Sequence, residues 1–183
     1  MKFIVKKLKI ELRRLLWAAM LACCAGLPTA HALAAPASEY DVKAVFIYNF
    51  AKFVDWPNKV GSEIRLCILG RDPFGNILDS MKGRAVHERK LEVRFIDSVA
   101  SLGGCQMVYV SPSLEKNIDK IIAQARDQGV LLISDSEGYA RRGAMINLYV
   151  DENKIRFEIN LQSIEASGLK VSSKLLSLGK LVN

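Results

Sequence analysis

The side chains able to do chemistry are few in this chain and poorly spaced for catalysis. There are 2 histidines, His31 and His87. Nucleophilic catalysis needs a Ser or Cys, a base and a group that orients the base. No G-x-S-x-G elbow supplies the nucleophile, and His87 sits beside Glu88 and Arg89 as a solvated loop histidine does. It has no H-x-x-x-H or C-x-x-C partner with which to hold a metal. A phosphate loop follows a strand and opens a helix; Gly103-Gly104 instead precedes a strand, and no G-x-x-x-x-G-K-[ST] occurs. Asp135 and Glu137 are carboxylates that a cleft could pair, but acidic pairs in loops are mostly just solvated. No set of catalytic roles is assembled, so the expectation is a non-enzyme without metal or cofactor.

Two polar constellations suggest binding instead. The apolar strand-like runs end at Gly70-Arg71-Asp72, Ser111-Pro112-Ser113 and Ser134-Asp135-Ser136. In an open α/β sheet those carboxyl ends share one edge, where ligand crevices form and helix N-termini favour anions. Arg71, Asp72, Ser111, Ser113, Ser134 and Asp135 are therefore candidate ligand-binding residues. The plainer reading is ordinary caps and turns, where these residue types are preferred anyway. The second constellation is the row Arg156, Glu158 and Asn160, which with Ser172, Ser173 and Lys174 forms a candidate polar surface for a partner.

The elements that must position these groups follow from periodicity. Ser38 caps a helix expected over Glu39 to Val54, with Val42, Phe46, Phe50 and Phe53 at helical spacing and Ile47 and Val54 widening the face. That arc suits a core helix, or a dimer or partner surface if it is left open. Glu63 to Gly70 reads as a strand, and Asp72-Pro73 as the start of a short helix to Met81. Lys90 to Ile96 alternates Leu91, Val93 and Phe95, and Cys105 to Val110 follows as another strand. Ser111-Pro112 opens a helix to about Gln128, which Gly129 stops before the run Val130 to Ile133. Three near-continuous apolar runs between helices argue for a parallel sheet covered on both faces.

The end of the chain changes pattern. Ile146, Leu148 and Val150 alternate with polar residues, and Asp151-Glu152-Asn153 turns into Ile155, Phe157 and Ile159, an antiparallel hairpin. Asn160 caps a helix from Leu161 to Ser167, Gly168 suits its C-terminus, and Ser172 or Ser173 starts a second helix carrying Leu175, Leu176, Leu178 and Leu181. The expected fold is one α/β domain over residues 38–183. It is a mixed, mostly parallel sheet with helices on both faces and a C-terminal antiparallel hairpin.

Residues 1–32 read as a cleaved signal peptide. Lys2, Lys6, Lys7, Lys9, Arg13 and Arg14 precede an apolar run from Leu15 to Leu27, and Ala30-His31-Ala32 is an A-x-A cleavage site. A cut after Ala34 is also compatible. Lipid attachment at Cys23 or Cys24 is the alternative, and Met20-Leu21-Ala22 fits that pattern poorly. The leader holds six of the 26 Lys+Arg and one of the 19 Asp+Glu, so the remainder carries 20 against 18. The basicity thus belongs to export, and nucleic acid is not an expected partner. In an oxidising compartment the remaining Cys67 and Cys105 read as one disulfide, or else as two buried free thiols.

Four segments in order, "YNFAKFVDWP", "LCILGRDPFG", "GAMINLYV" and "FEIN…GLKVSSKLL", resemble the YfiR family of small periplasmic proteins. The likeness covers nearly all of the chain after the leader. It implies an α/β fold, a tendency to dimerise, and a non-enzymatic repressor. Such a repressor binds the periplasmic sensor region of an inner-membrane diguanylate cyclase, and an outer-membrane lipoprotein relieves the repression. Cys67 and Cys105 match one disulfide of such members. A second pair expected near the hairpin has no counterpart, so no redox-sensing role is carried over. The alternative is a periplasmic small-ligand sensor or solute-binding component that uses the sheet-edge crevice.

Overall fold

Alternation of apolar side chains divides three central strands between two cores. In strand β2 (Glu63–Leu69), Ile64, Leu66 and Ile68 enter one cluster, while Cys67 and Leu69 enter another. Strand β5 (Met107–Val110) sends Met107 and Tyr109 one way and Val108 and Val110 the other. Strand β6 (Leu131–Ser134) divides Leu131 and Ile133 from Leu132 in the same manner. Strands buried on both faces need a layer on each. The computed structural model describes residues 38–56 and 61–183 and supplies both layers. The expected signal peptide and Cys23 and Cys24 lie outside the described residues.

Helix α1 (Glu39–Phe50) is followed by the two-residue strand β1 (Val54–Asp55), which precedes β2. Strands β3 (Ala85–Val86) and β4 (Arg89–Ile96) come next, then β5, helix α2 (Ile118–Asp127) and β6. The chain ends with β7 (Ile146–Asp151), β8 (Lys154–Asn160), helix α3 (Leu161–Ala166), β9 (Lys170–Val171), helix α4 (Ser173–Leu178) and β10 (Lys180–Val182). The main sheet has 8 strands in the order β10-β8-β7-β6-β5-β2-β4-β3. Pairing is parallel from β7 through β4, while β7 and β8 form the antiparallel hairpin. Helices α1, α3 and α4 cover one face and α2 the other, as the sequence pattern requires.

Several boundaries depart from expectation. Helix α1 stops at Phe50 rather than Val54. The N–H groups of Lys52 and Phe53 turn back to Asn49 and Phe50. Val54 and Asp55 are then extended, because they pair antiparallel with Val171 and Lys170 of β9. The buried side of α1 is also turned from the expected arc: Lys43, Ala44, Ile47 and Phe50 are buried, and Val42 and Phe46 only half-buried. The segment after Asp72-Pro73 forms two 3-10 turns, Gly75–Ile77 and Asp79–Met81, instead of one helix. Pro112 opens a 3-10 segment to Asn117, and α2 begins only at Ile118. Phe95 is 55% exposed, although Ile96 beside it, on the opposite face, packs against the second core.

The caps are those expected. Ser38 Oγ accepts from the Asp41 N–H while the Asp41 carboxylate accepts from the Ser38 N–H, a reciprocal capping box. Asn160 Oδ1 accepts from Ser163 N–H at 2.8 Å, and Ser172 Oγ from Leu175 N–H at 3.2 Å. Gly168 follows α3 at φ 76°, where a side chain would be strained.

Cys67 of β2 and Cys105, just before β5, form a disulfide with a Cα–Cα distance of 5.9 Å. It ties two adjacent parallel strands across a sequence separation of 38. On the chain-entropy account such a loop restricts the unfolded state by about 4 kcal/mol. The double substitution Cys67→Ala/Cys105→Ala is therefore expected to lower the unfolding free energy by about 2–4 kcal/mol. Urea titration would measure this as a drop in midpoint.

Candidate functional site

The carboxyl ends of β2, β5 and β6 do share one edge, but the six residues expected there fall into separate groups. Gly70 has φ +94°, and a Cβ on it would meet Ser113 Oγ at 2.9 Å and Ser111 Cβ at 3.0 Å. The turn after β2 is thus packed directly against the turn after β5. Ser113 Oγ accepts from the Arg71 N–H and donates to Ser111 Oγ, both at 3.1 Å. Asp72 Oδ1 accepts from Phe74 N–H at 2.9 Å. The Arg71 N–H and the two serine hydroxyls thus bond to one another and Asp72 caps its own turn, while a depression of about 530 Å³ lies beside them, lined by Gly70, Phe95, Ile96, Asp97 and Leu114. Ser134 is buried and donates to Asn147 Oδ1 at 2.7 Å.

Asp135 belongs to a different cluster, which the sequence reading missed. Its Oδ2 accepts from Lys43 Nζ at 2.6 Å, and its Oδ1 from the Tyr109 hydroxyl at 2.8 Å. Lys43 also pairs with Glu39 one helical turn earlier, and its ammonium lies 4.6 Å from the centre of the Tyr40 ring. The side chains of Lys43 and Asp135 are only 4% and 1% exposed. A buried charge is tolerated when it is paired and hydrogen-bonded, and both are. Burial alone would push the Lys43 ammonium toward release of its proton, but the hydrogen bonds to Asp135 and Glu39 outweigh it and its pKa rises. Burial, with Asp135 close by, drives the Tyr109 pKa far upward, and Tyr40 follows for the same two reasons. The one sequence clue was spacing: Lys43 lies on the stripe of Ile47 and Phe50, at i, i+4 and i+7.

The expected partner-binding residues are also divided. Arg156 is exposed and pairs with Asp151 at 2.6 Å, while Glu158 pairs with Lys180 at 3.3 Å. Asn160 is buried, with its amide donating to Ala140 O, so its place is structural. Ser172 is occupied as the cap of α4, whereas Ser173 and Lys174 are exposed, the lysine 5.7 Å from the Phe53 ring centre. No hydrogen bond or ion pair among the described residues joins these serines and Lys174 to the hairpin row.

What the hairpin row does border is a concave apolar surface. A depression of about 500 Å³ lies between Val42 and Phe46 of α1 and Val150, Lys154 and Ile155 of the hairpin. A second, about 410 Å³, shares Phe46 and Ile155 and continues to Leu178 and Gly179. Val150 is 49% and Leu178 63% exposed, and the ion pairs Arg156–Asp151 and Glu158–Lys180 stand beside them. An apolar centre with a charged rim has the make-up of a protein-binding surface. Phe46 packs from below on Phe50 and Phe157, with ring centroids 6.2 and 5.9 Å away, so the floor is rigid.

Breaking a buried pair costs about 3–5 kcal/mol, whereas replacing both members by apolar groups is often neutral. Lys43→Met should therefore destabilise by about 3 kcal/mol, and Lys43→Met/Asp135→Leu should recover most of it in urea titrations. Tyr109 keeps its proton in the fold above about pH 10, where the unfolded chain loses it. Its contribution is complete below that value and is lost as the pH rises further, and the raised pKa of Lys43 acts with the same sign. Tyr109→Phe should flatten the fall in urea midpoint between about pH 10 and 11.5.

Among solved structures, the chain is similar to a conserved domain protein from Vibrio cholerae O1 biovar El Tor, with 14% identity and a TM-score of 0.50. That match covers 80% of this chain and 60% of the other. The ABC domain from Streptococcus pneumoniae, solved in complex with L-Trp, matches over 65% of this chain and 55% of its own, at 7% identity and a TM-score of 0.46. The chain thus spans less than two thirds of either protein, and the first likeness bears on the fold alone. The match that reaches across most of the chain, residues 40–180, is to the YfiR/HmsC-like family model. The chain belongs to the YfiR/HmsC-like family.

Proposed function

We propose that this protein is a non-enzymatic periplasmic repressor that binds the periplasmic sensor region of an inner-membrane diguanylate cyclase and lowers cyclic di-GMP output. Family membership supports a periplasmic regulatory role in general terms, in a family that is regulatory rather than catalytic. The observation that carries the binding reading is the concave surface formed by α1, the β7–β8 hairpin and α4. Exposed Val150 and Leu178 gain by leaving water, and the pairs Arg156–Asp151 and Glu158–Lys180 at the rim set orientation. The arrangement of charged groups fits this role too. Lys43, Asp135 and Tyr109 hold one another in place through the Asp135 carboxylate, which fixes the N-terminal half of α1 beside the concave surface.

In this reading an outer-membrane lipoprotein relieves repression by competing for the repressor, and the repressor acts as a homodimer. Both belong to the proposal. Deleting the gene should raise cyclic di-GMP and biofilm, and restoring the wild-type chain should reverse both. Restoring Val150→Glu/Leu178→Glu should not reverse them, although both positions are exposed and the variant should fold. An unchanged cyclic di-GMP level on deletion, with the cognate cyclase present, would remove the proposal.

A further inference from the structure

Backbone hydrogen bonds alternate in direction along a strand, and along β4 the alternation leaves one stretch without a partner. The Lys90 N–H donates to Ser62 O, toward β2. Leu91 turns outward: its N–H donates to Arg84 O, and its carbonyl accepts from the Gly83 N–H. By the same alternation the N–H and C=O groups of Val93 and Phe95 face outward. Strand β3 reaches only Arg89 and Lys90, and no described residue bonds these four groups. Open edges are commonly blunted by a proline or a bulge. Residues 92–96 contain no proline, and their register with β2 runs unbroken to Leu69 opposite Ile96. Phe95 stands exposed at this place, on the face of Leu91 and Val93, beside the depression lined by Gly70, Ile96, Asp97 and Leu114.

Charge along the strand selects what can pair there. On the other face of β4, Lys90 stands opposite Glu63 and Glu92 opposite Arg65, each with a neighbour of opposite sign on β2. Arg94 stands opposite Cys67, which is held in the disulfide. Arg94 is exposed and makes no ion pair among the described residues. A second copy of the chain matches this edge poorly. The antiparallel register that joins the open groups of Val93 to those of Phe95 on both copies sets Arg94 directly opposite itself, and like charges so placed repel. An extended segment with an acidic residue between two apolar ones fits all three positions. Its acid faces Arg94, and its apolar side chains stand beside Val93 and Phe95. Asp97, at the end of the strand, disfavours a further acid there.

We propose that the open edge of β4, residues 92–96, takes an extended segment of another protein as an added strand, with an acidic residue opposite Arg94 between two apolar ones. This edge lies toward the opposite end of the sheet from the β7–β8 hairpin, so the proposal does not rest on the repressor reading and its test needs no cyclase. The probe is a display library of random nonapeptides, selected on the purified protein. Selected peptides should carry an acidic residue flanked by two apolar ones. In the ¹⁵N-labelled protein they should shift the Val93 and Phe95 amides and slow their hydrogen exchange. Selection on Arg94→Glu should replace the central acid by lysine or arginine. Phe95→Pro removes an outward N–H that the fold does not use, and should weaken the wild-type peptides about tenfold or more. Should that variant misfold, the charge reversal at exposed Arg94 still decides the matter. An empty selection, peptides without the pattern, or a pattern unchanged on Arg94→Glu would each overturn the edge site. So would shifts confined to other residues, or dimerisation that slows exchange at Val93 and Phe95 without peptide.

Discussion

A charge carried into an apolar interior must find its opposite, and that requirement sets where α1 sits. Lys43 projects from the buried side of the helix, between Ala44 and the Tyr40 ring, and the carboxylate that answers it is Asp135, just past the end of β6. The N-terminal half of α1 is thereby held at the carboxyl edge of the sheet. Tyr109, on the neighbouring strand β5, adds its hydroxyl to the same carboxylate and makes the joint directional. The pair does not have to add net stability to matter. Apolar residues would pack there about as well, without the directional bonds that join Lys43 and Tyr109 to Asp135.

Helix position in turn sets the concave surface. Val42 and Phe46 flank Lys43 on the helix, and they form one wall of the apolar depressions. At the other end of α1, Val54 and Asp55 pair with β9, and the Ser172 N–H donates to Phe53 O. Both ends of the segment are thus fixed by groups distant in sequence, one on the β6–β7 loop and one just before α4. The opposite wall is the hairpin, whose tip reaches beyond the helical layer, so Val150 and Ile155 are left incompletely covered. The surface exists because β7 and β8 are longer than the helix that packs on them.

The same physics separates what the sequence displayed from what it hid. The strands of the hairpin were visible because alternation of Ile146, Leu148, Ile155 and Phe157 is a local pattern. The caps Ser38, Asn160 and Ser172 were visible because each side chain bonds a backbone group three residues away. Lys43 was hidden because a lysine on a helix reads as solvated until its partner is known, and that partner is 92 residues along the chain. The end of α1 was hidden likewise: Val54 continues the apolar arc in sequence, and only the pairing with Val171 makes it extended. Strand β10 has three residues and no pattern of its own; it takes its conformation from the parallel register with β8.

The candidate residues at the strand ends show where residue-type reasoning stops. Arg71, Asp72, Ser111 and Ser113 are polar, follow strands and share an edge, as the residues of a ligand crevice would. At Gly70, however, the backbone turns at positive φ and brings the two loops into contact, so the Arg71 N–H and both serine hydroxyls bond to one another while Asp72 turns to the Phe74 N–H. Two strands away, β6 ends at Ser134 while β7 runs on to Asp151, and the sheet opens because one strand outlasts its neighbour. A cavity of about 550 Å³ lies at this unequal pair of strands. Asp135 alone connects the two descriptions: it was expected among the edge residues, and it lines the gap that the strand lengths create. Strand length and loop contact, more than the polarity of the residues at the edge, decide which end of an α/β sheet is open.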